Sequence, residues 1–475
     1  MLCFLVMICC AVTDGAAQHY TLQHEDVLAD VAVSDVNGDG RDDICALSAR
    51  GTADRGTYLS VYLSRPDGTY AEKADCRQEL PPTVGGVFFA ETDGAPPAEV
   101  VAVDTAGAHI LALRDKAFTQ VAEPRFVSLF PAGLEFPRFL DNQVVDVDRD
   151  GVHEWLVPLP HGYGLREPGR EIATIGCHVA GAVAHDSASR THLRYDFPGV
   201  VPFPWENDAY QALAFINTHT VEFVRGPDWN DLVTSEIPFK KAPERLSPTP
   251  SGAYADTFPK PPKPQAHAEL HDLNEDGLPD LLVTEAQGSI DVETCTRIFF
   301  AQPGCTFSQE PDMQFVKSGA FAQPTVIDVN GDGLDDVFFF ELSFGLKSMV
   351  SYLVRERLTL RLEAHLNSPH GFDATPRYRS RFTLAAPDGT REGILALGDF
   401  TGDGRMDAVF SPDGKRLGLF EGRGEELVSQ EPAATFDIPP YGAAKTCDLN
   451  ANRRRDIVVF EAGNKGTRDI HVLVF

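Results

Sequence analysis

Short apolar runs recur along the chain, and each of them follows a cluster of acidic residues and glycine. Five of these runs are ICAL, WLVPL, LLVT, VFFF and AVFS. Short apolar runs that are rich in β-branched and aromatic residues and bounded by turn residues are typical of buried strands. The residues before each acidic cluster, such as VAV, VV and TVI, have the same character. The pattern predicts a repeating unit of strand, acidic loop and strand, followed by further strands.

Helical periodicity is scarce along the chain. The best helix candidate spans residues 343–358, within the longest repeat, where an insertion would fall. A Pro-rich stretch, residues 240–265, is the best linker candidate, but the acidic pattern resumes after it with unchanged spacing. We therefore expect one closed domain over residues 18–475, in which the Pro-rich stretch is a long loop between two repeats.

The acidic clusters are copies of one motif, with oxygen-bearing side chains at positions 1, 3, 5 and 9 and glycine at position 6. Five copies are complete, and a sixth has Arg453 in place of the glycine. A shorter copy keeps Glu91, Asp93 and Glu99. The residues at positions 1, 3, 5 and 9 of the six longer copies are Asp35, Asn37, Asp39 and Asp43; Asp146, Asp148, Asp150 and Glu154; Asp272, Asn274, Asp276 and Asp280; Asp328, Asn330, Asp332 and Asp336; Asp399, Thr401, Asp403 and Asp407; and Asp448, Asn450, Asn452 and Asp456.

The spacing of the motif sets the number of repeats. Position 1 falls near residues 35, 91, 146, 206, 272, 328, 399 and 448. The fourth unit is placed mainly by its spacing, and its loop is reduced to Glu206–Gln211. A unit of about 55 residues with four strands matches one blade of a β-propeller. The prediction is an all-β propeller of eight four-stranded blades, with seven as the alternative. The last unit is one strand short, and the N-terminal strand could supply it.

The motif has the chemistry of a calcium loop. Ca²⁺ takes six to eight oxygen ligands, and alternate side chains of a tight loop can converge on one point, whereas Mg²⁺ rarely accepts an all-protein cage. Position 6 is glycine because such a turn needs a left-handed backbone. An EF-hand is excluded because it requires Glu at position 12, which here is Ala46, Val157, Val283, Phe339 or Phe410. We expect about five Ca²⁺ sites, or six with the Arg453 copy; the alternative is a set of solvated turns without metal.

The net charge changes the range of possible partners. The chain has 41 basic and 70 acidic residues and a formal net charge of −29. This balance argues against binding to nucleic acid or to an anionic membrane, since both need a positive surface. Sixteen of the carboxylates lie in the five complete loops, so much of the acidity belongs to the expected cation sites.

The first 17 residues resemble a secretory signal peptide, with an apolar run before small residues at Gly15 and Ala17. The alternatives are a buried N-terminal element and, less well supported, a lipoprotein signal. We expect an exported protein that is secreted, periplasmic or at the cell surface, with no membrane span. Six cysteines remain after the signal, and Cys295 and Cys305 are the best candidates for a disulfide, the alternative being buried thiols.

The phrases VNGDG and DGLPDLL resemble the FG-GAP/VCBS repeat proteins, relatives of the integrin α-subunit propeller. The resemblance extends over nearly all of residues 25–475. It implies a propeller with Ca²⁺ bound in the loops between the first two strands of blades, in an exported or surface protein. The FG and GAP phrases that flank the loop in integrins are not regular here. The family commonly has seven blades, whereas the spacing in this chain favours eight.

No catalytic signature is present: there is no HExxH, GxSxG, P-loop or GxGxxG motif. His267 and His271, beside a loop, are expected to be structural, and Trp155, Trp205 and Trp229 to pack between blades. We expect a non-catalytic binding or adhesion module for a protein or glycan, monomeric and without catalytic residues. The alternative is a secreted hydrolase or lyase that acts on polysaccharide or phosphoester on a propeller scaffold.

Overall fold

The computed structural model describes residues 17–49, 56–130, 137–140, 142–185, 191–205, 209–240, 265–288, 292–318, 320–343, 357–368, 371–385, 393–424, 426–463 and 468–475. The predicted signal peptide apart from Ala17, most of the Pro-rich stretch and Glu206 of the fourth loop lie outside these residues. The middle of the predicted helix does so too, while Ser343 and Arg357 near its ends belong to strands.

All regular elements in the described part of the chain are β-strands. In the first half they are β1 (Gln18–Gln23), β2 (Val27–Ser34), β3 (Asp43–Ala49), β4 (Thr57–Tyr62), β5 (Cys76–Leu80), β6 (Gly86–Ala90), β7 (Glu99–Asp104), β8 (Gly107–Arg114), β9 (Ala117–Ala122), β10 (Arg138–Phe139), β11 (Val144–Val145), β12 (Glu154–Leu159), β13 (Gly162–Glu167), β14 (Arg170–Gly176), β15 (Ala180–His185), β16 (Thr191–Asp196), β17 (Gly199–Pro204), β18 (Gln211–Ile216), β19 (Thr220–Val224) and β20 (Leu232–Glu236).

In the second half the strands are β21 (Gln265–His271), β22 (Asp280–Gln287), β23 (Glu293–Phe299), β24 (Met313–Ser318), β25 (Ala320–Ile327), β26 (Asp336–Ser343), β27 (Arg357–His365), β28 (Tyr378–Ala385), β29 (Leu395–Gly398), β30 (Asp407–Phe410), β31 (Leu417–Phe420), β32 (Ala434–Phe436), β33 (Ala443–Cys447), β34 (Asp456–Phe460) and β35 (Asp469–Val474).

The strands form eight four-stranded antiparallel blades arranged in a ring, which confirms the predicted propeller and its blade number. Blades 1 to 7 are β2–β5, β6–β9, β11–β14, β17–β20, β21–β24, β25–β28 and β29–β32, and blade 8 has the order β33, β34, β35, β1. The fourth blade, which the sequence placed mainly by spacing, is complete. The family's commoner count of seven does not apply to this chain.

Hydrophobic packing follows from the position of each strand in its blade. Second strands such as β3, β7 and β12 are buried along almost their whole length, because both faces of a blade pack against neighbouring blades. Eight core clusters are found in the described part of the chain, one for each pair of adjacent blades, including blades 8 and 1. The three tryptophans are buried in the 2–3, 4–5 and 3–4 clusters, as predicted. The ring is therefore continuous in its packing.

The N-terminal strand closes the ring. β1 pairs antiparallel with β35, with a register that runs from Gln18 opposite Val474 to Gln23 opposite Asp469. Leu22 of β1 is buried in the cluster between blades 8 and 1. The predicted closure by a strand from the other end of the chain is confirmed.

Two elements lie outside the blade pattern and were not predicted. The two-residue strand β10 pairs in parallel with β6, the innermost strand of blade 2. The hairpin β15–β16 forms a separate two-stranded sheet between blades 3 and 4. The short segments that form them contain no copy of the motif, so the spacing of the motif could not predict them.

The expected disulfide between Cys295 and Cys305 is wrong. The six cysteines of the described residues are all buried thiols with no disulfide among them. Cys305 is fully buried in the core between blades 4 and 5, whereas the sulfur of Cys295 lies 4.0 Å from the Lys240 ammonium. The two side chains therefore occupy different surroundings although the hairpin between them is short.

Candidate metal centres

Each of the six longer motif copies is a tight loop between the first two strands of a blade. The loops in chain order belong to blades 1, 3, 5, 6, 7 and 8, and we number them by blade. At position 1 an aspartate accepts hydrogen bonds from backbone N–H groups farther along the loop. In loop 5, Asp272 accepts from the N–H of Asp276 at 3.1 Å and of Gly277 at 3.0 Å. The same bond to position 6 occurs in all six loops.

Two positions of each loop have a left-handed backbone. Position 6 has φ between 69° and 90° in all six loops, which confirms the reason given for its glycine, and Arg453 adopts this conformation in loop 8. Position 4 is also left-handed in all six loops, although it holds Arg149, Glu275 or Ala451 in three of them. Position 4 has no uniform residue type that could have marked it, because residues with a Cβ occupy it in three loops at a modest energetic cost.

The carboxylate at position 9 is buried and ties the loop to the rest of its blade. Asp280 accepts one hydrogen bond from the N–H of Leu273, at position 2, at 2.9 Å. It accepts another from the N–H of Ala301, just after the third strand of the blade, at 2.8 Å. Asp43, Asp336, Asp407 and Asp456 make the equivalent pair of bonds. These residues therefore have a structural role that the ligand spacing alone did not reveal.

Burial dominates the electrostatics of position 9. It raises the pKa of Asp43, Glu154 and Asp280 to about 7, while the backbone N–H donors act in the opposite direction. The same causes raise the pKa of Asp336 and Asp456 to about 6. A cation bound beside such a carboxylate would favour its charged form.

Loop 3 differs from the others because it has Glu154 at position 9. One carboxylate oxygen, Oε2, accepts the bond from the Val147 N–H at 2.8 Å. The other, Oε1, is buried without a partner, and so is Oδ1 of Asp148. Ligand oxygens of Asp146, Asp148 and Glu154 all lie within 4.8 Å of one another. No other set of three acidic, His or Cys side chains in the described ranges meets that spacing.

In the other loops of the described residues, the carboxylate oxygens of three acidic residues do not all lie within 4.8 Å of one another. In loops 5 and 6 the amide nitrogen at position 3 contacts the carboxylate at position 5, as between Asn274 and Asp276 at 3.0 Å. In loop 1, Asp39 forms an ion pair with Arg41. In the short copy of blade 2, Glu99 is buried and accepts from the N–H of Thr92 at 3.0 Å, so it keeps part of the position-9 role.

Several loops are hydrogen-bonded to the loop of the next blade. The N–H of position 8 donates to a carbonyl at position 1 or 2 of the preceding copy: His153 to Glu91 at 2.8 Å, Met406 to Val329 at 3.1 Å and Arg455 to Asp399 at 2.8 Å. At the contact between loops 6 and 7, a Cβ added to Gly331 would lie 2.1 Å from the Gly404 carbonyl oxygen. The loops thus form a connected series on one face of the propeller.

The histidines beside loop 5 form a cluster on the inner strand β21. Glu269 lies between them, with its carboxylate 2.7 Å from Nε2 of His267 and 3.2 Å from Nε2 of His271. Burial opposes ionisation of Glu269, but hydrogen bonds and charge from the two histidines lower its pKa to about 2. The arrangement is a hydrogen-bonded cluster in which two histidines share one carboxylate.

The central channel contains a cavity of about 350 Å³ that sequence reasoning missed. It lies among the inner strands of blades 8, 1, 2 and 3, and its lining includes Phe89, Phe139, Asp42 and Lys445. These residues are separated by up to 403 positions in the chain, and Phe139 lies on β10, outside the blade pattern. No local pattern could have grouped them.

Comparison with known families supports the fold. The FG-GAP-like repeat family matches residues 272–339, which contain loops 5 and 6 with the strands between them. The chain is an eight-bladed β-propeller, and one part of it is similar to this repeat family. The matched span begins at position 1 of loop 5 and ends within β26.

Solved structures resemble this propeller only distantly. The V. cholerae biofilm matrix protein Bap1 has 10% identity and a TM-score of 0.34 over 95% of this chain and 88% of that one. BBS1N in complex with ARL6DN has 9% identity and a TM-score of 0.34 over 96% of this chain and 95% of that one. Likeness at this level supports no argument about function. None of the curated proteins compared with the propeller matches it.

Within the described ranges, no helix combines the length and the apolar character needed to cross a bilayer.

Proposed function

We propose that the protein is an exported β-propeller whose loops bind Ca²⁺, and that it acts as a non-catalytic binding or adhesion module for a protein or glycan. The observation that carries the calcium part is the loop 3 cluster. Two buried carboxylate oxygens there have no hydrogen-bond partner and lie close to a third carboxylate. Such oxygens are costly to bury alone, and a hard cation is the partner that suits them.

The donor set fits calcium in loop 3. Asp146, Asp148 and Glu154 would provide carboxylate oxygens, and Asp150 with backbone carbonyls could complete the six to eight ligands that Ca²⁺ takes. The ion would supply positive charge that offsets repulsion among these carboxylates. The other loops keep the same backbone turn, so small rotations of their exposed side chains would suffice for binding. We extend the proposal to loops 1, 5, 6 and 7, and to loop 8 as the weakest site.

The proposed binding role is supported by the separation of the packed blades from the loops that connect their strands. Eight interblade cores fix the blades, while the loops on either face can vary without disturbing them. Calcium would stabilise the folded ring by mass action, because the unfolded chain has no preformed site. Export would place the protein where calcium is plentiful.

Calorimetric titration of chelator-treated protein with Ca²⁺ tests the metal assignment. We expect about five ions to bind, and the Asp148→Ala variant to lose one of them. Asp93→Ala is the matched control, because the short copy in blade 2 has Ala95 where a full loop has a ligand. Equal stoichiometry for the wild type and Asp148→Ala would contradict the assignment of loop 3.

Two further measurements test the remaining parts. Cell fractionation of the full-length chain and of a chain without residues 1–17 should place only the full-length chain outside the cytoplasm. Glycan and peptide arrays probed with and without Ca²⁺ should identify a ligand that binds in calcium and weakens in chelator. A full-length chain that stays inside the cell, or arrays without any bound ligand, would count against export or binding respectively.

A further inference from the structure

The channel cavity has a position and a lining that the cation loops do not explain. It opens among the inner strands of blades 8, 1, 2 and 3, close to the face that carries the loops, because Asp42 is position 8 of loop 1. Its volume of about 350 Å³ is at the lower end of the range for small-molecule sites. It is therefore large enough for a compact ligand and too small for a folded partner.

One wall of the cavity is built by the unpredicted strand β10. This strand is held in place by hydrogen bonds from the N–H of Leu140 to the Val87 carbonyl at 2.7 Å and from the N–H of Phe139 to Asp30 at 2.9 Å. The ring of Phe139 stacks on Phe89, with centroids 5.4 Å apart and planes inclined by 20°. Since backbone and side chain are both fixed, the aromatic wall exists before any ligand arrives.

The close approach of this wall depends on a glycine. A Cβ added to Gly86 of β6 would lie 2.4 Å from Cδ1 of Leu140, which also lines the cavity. The inner edge of blade 2 therefore accommodates the segment that narrows the channel. Such complementarity favours a shaped pocket over a gap left between blades.

The polar part of the lining contains one acidic and one basic residue, Asp42 and Lys445, together with Asn142. In the described ranges the side chains of Asp42 and Lys445 form no ion pair with each other. Burial raises the pKa of Asp42, and so do its acidic neighbours Asp35 and Asp448. A positively charged ligand group beside Asp42 would therefore be favoured.

We propose that this cavity binds a free α-amino acid with an aromatic or branched apolar side chain. The ligand carboxylate would accept from Lys445, and its ammonium group would donate to Asp42. Its side chain would lie against Phe89 and Phe139, where burial of apolar area provides most of the affinity. A zwitterion matches two separated, opposite charges, whereas a neutral sugar needs neither and an anion would leave Asp42 unmatched.

This inference goes beyond the proposed protein or glycan ligand and concerns a second, small-molecule site in the channel. No cation loop position at 1, 3, 5 or 9 lines the cavity, but Asp42 has Asp35 and Asp448 of two cation loops as electrostatic neighbours. The binding experiment is therefore carried out at one fixed Ca²⁺ concentration.

Isothermal titration of the full-length mature protein in Ca²⁺-containing buffer tests the inference. The probes are L-phenylalanine, L-leucine, L-phenylalaninamide, 3-phenylpropionate and D-glucose. We expect the amino acids to bind, and removal of either ligand charge to weaken binding about tenfold to a hundredfold, the effect of one charged hydrogen bond. No binding of any amino acid, equal affinity for phenylalanine and its amide, or binding of glucose alone would overturn the inference.

Two variants locate the binding in the cavity. Lys445→Met removes the partner of the ligand carboxylate and should weaken phenylalanine about tenfold or more while leaving phenylalaninamide unchanged. Lys73→Met, at an exposed lysine of blade 1, is the matched control and should bind as the wild type does. If Lys445→Met binds phenylalanine as tightly as Lys73→Met, the site is elsewhere and the inference is wrong.

Discussion

Replacement of Asp280 by alanine should destabilise the protein even when no calcium is present. The Asp280 side chain is completely buried and accepts hydrogen bonds from the N–H groups of Leu273 and Ala301. A buried N–H group left without its acceptor costs about 1–3 kcal/mol, and the variant leaves two of them. Part of this cost is offset, because burial disfavours the charged carboxylate and raises the pKa of Asp280 to about 7. The expected loss is therefore about 2–4 kcal/mol in the free energy of unfolding.

The matched variant is Asp276→Ala in the same loop. Asp276 is exposed, and its carboxylate contacts only neighbouring loop groups, such as the N–H of Leu278 at 2.8 Å. In chelator this variant should unfold close to the wild type. In Ca²⁺ at about 100 times the dissociation constant it should lose the roughly 3 kcal/mol that one bound ion contributes.

Thermal unfolding with and without chelator measures both effects. A chain of 475 residues has an unfolding entropy of about 1 kcal/mol per kelvin, so the loss expected for Asp280→Ala lowers Tm by about 2–4 °C in chelator. The reasoning is refuted if Asp280→Ala and Asp276→Ala have the same Tm in chelator. It is also refuted if Asp280→Ala shows its full loss only in calcium, because position 9 would then act as a ligand alone.

Three other outcomes follow from the structure. A chain that begins after Gln23 lacks β1, so it exposes the edge of β35 and no longer buries Leu22. Its free energy of unfolding should fall by several kcal/mol. A Tm equal to that of the protein with β1 would contradict the closure. Burial keeps His24 neutral and lowers its pKa from 6.5 to about 4. Because the unfolded chain takes up the proton first, the free energy of unfolding should fall by up to ~3 kcal/mol as the pH drops from 6.5 to 4. Denaturant unfolding at several pH values should show this loss in the wild type and a smaller one in His24→Gln. Gly331→Ala should lower Tm without altering any cation ligand, because the new Cβ meets the Gly404 carbonyl at a left-handed position, whereas Gly277→Ala meets no atom within 4 Å and should lower Tm less.

The sequence was sufficient to predict the propeller because the motif carries the local rules of the loop. Position 6 must be left-handed, and glycine there marks five loops directly. The apolar runs after each loop mark the second strands, which are buried on both faces. Spacing then sets the number of blades, and the missing strand of the last unit predicts the role of β1.

What escaped prediction depends on contacts between distant residues. The partner of Asp280 beyond its own loop is Ala301, which follows the third strand, so the structural role of position 9 appears only once the blade is folded. The same holds for the cavity, where Asp42 and Lys445 come from blades 1 and 8. The disulfide expectation was wrong for a related reason: Cys295 lies on β23, Cys305 lies in the turn after it, and closeness in sequence does not bring two such side chains together.

The convergence of ligands was predicted equally for all complete loops, but the structure distinguishes among them. Glu154 has one more methylene than aspartate and a second oxygen that is not used for backbone bonds. In the aspartate loops that oxygen is held by the N–H after the third strand, as at Asp336 and Asn367. Residue length at position 9 is therefore the sequence signal that separates loop 3 from the rest.

The pairing of β1 with β35 determines the order in which the molecule can fold. Their partner residues are separated by as many as 456 positions, so the final strand pairing has a very high contact order and a large loop-closure cost. During synthesis β1 emerges first and must wait for the last strand, while blades 1 to 7 can each form from neighbouring segments. Cooperativity of the whole ring consequently begins only when this seam forms, and unfolding that starts at the termini needs to break only that seam.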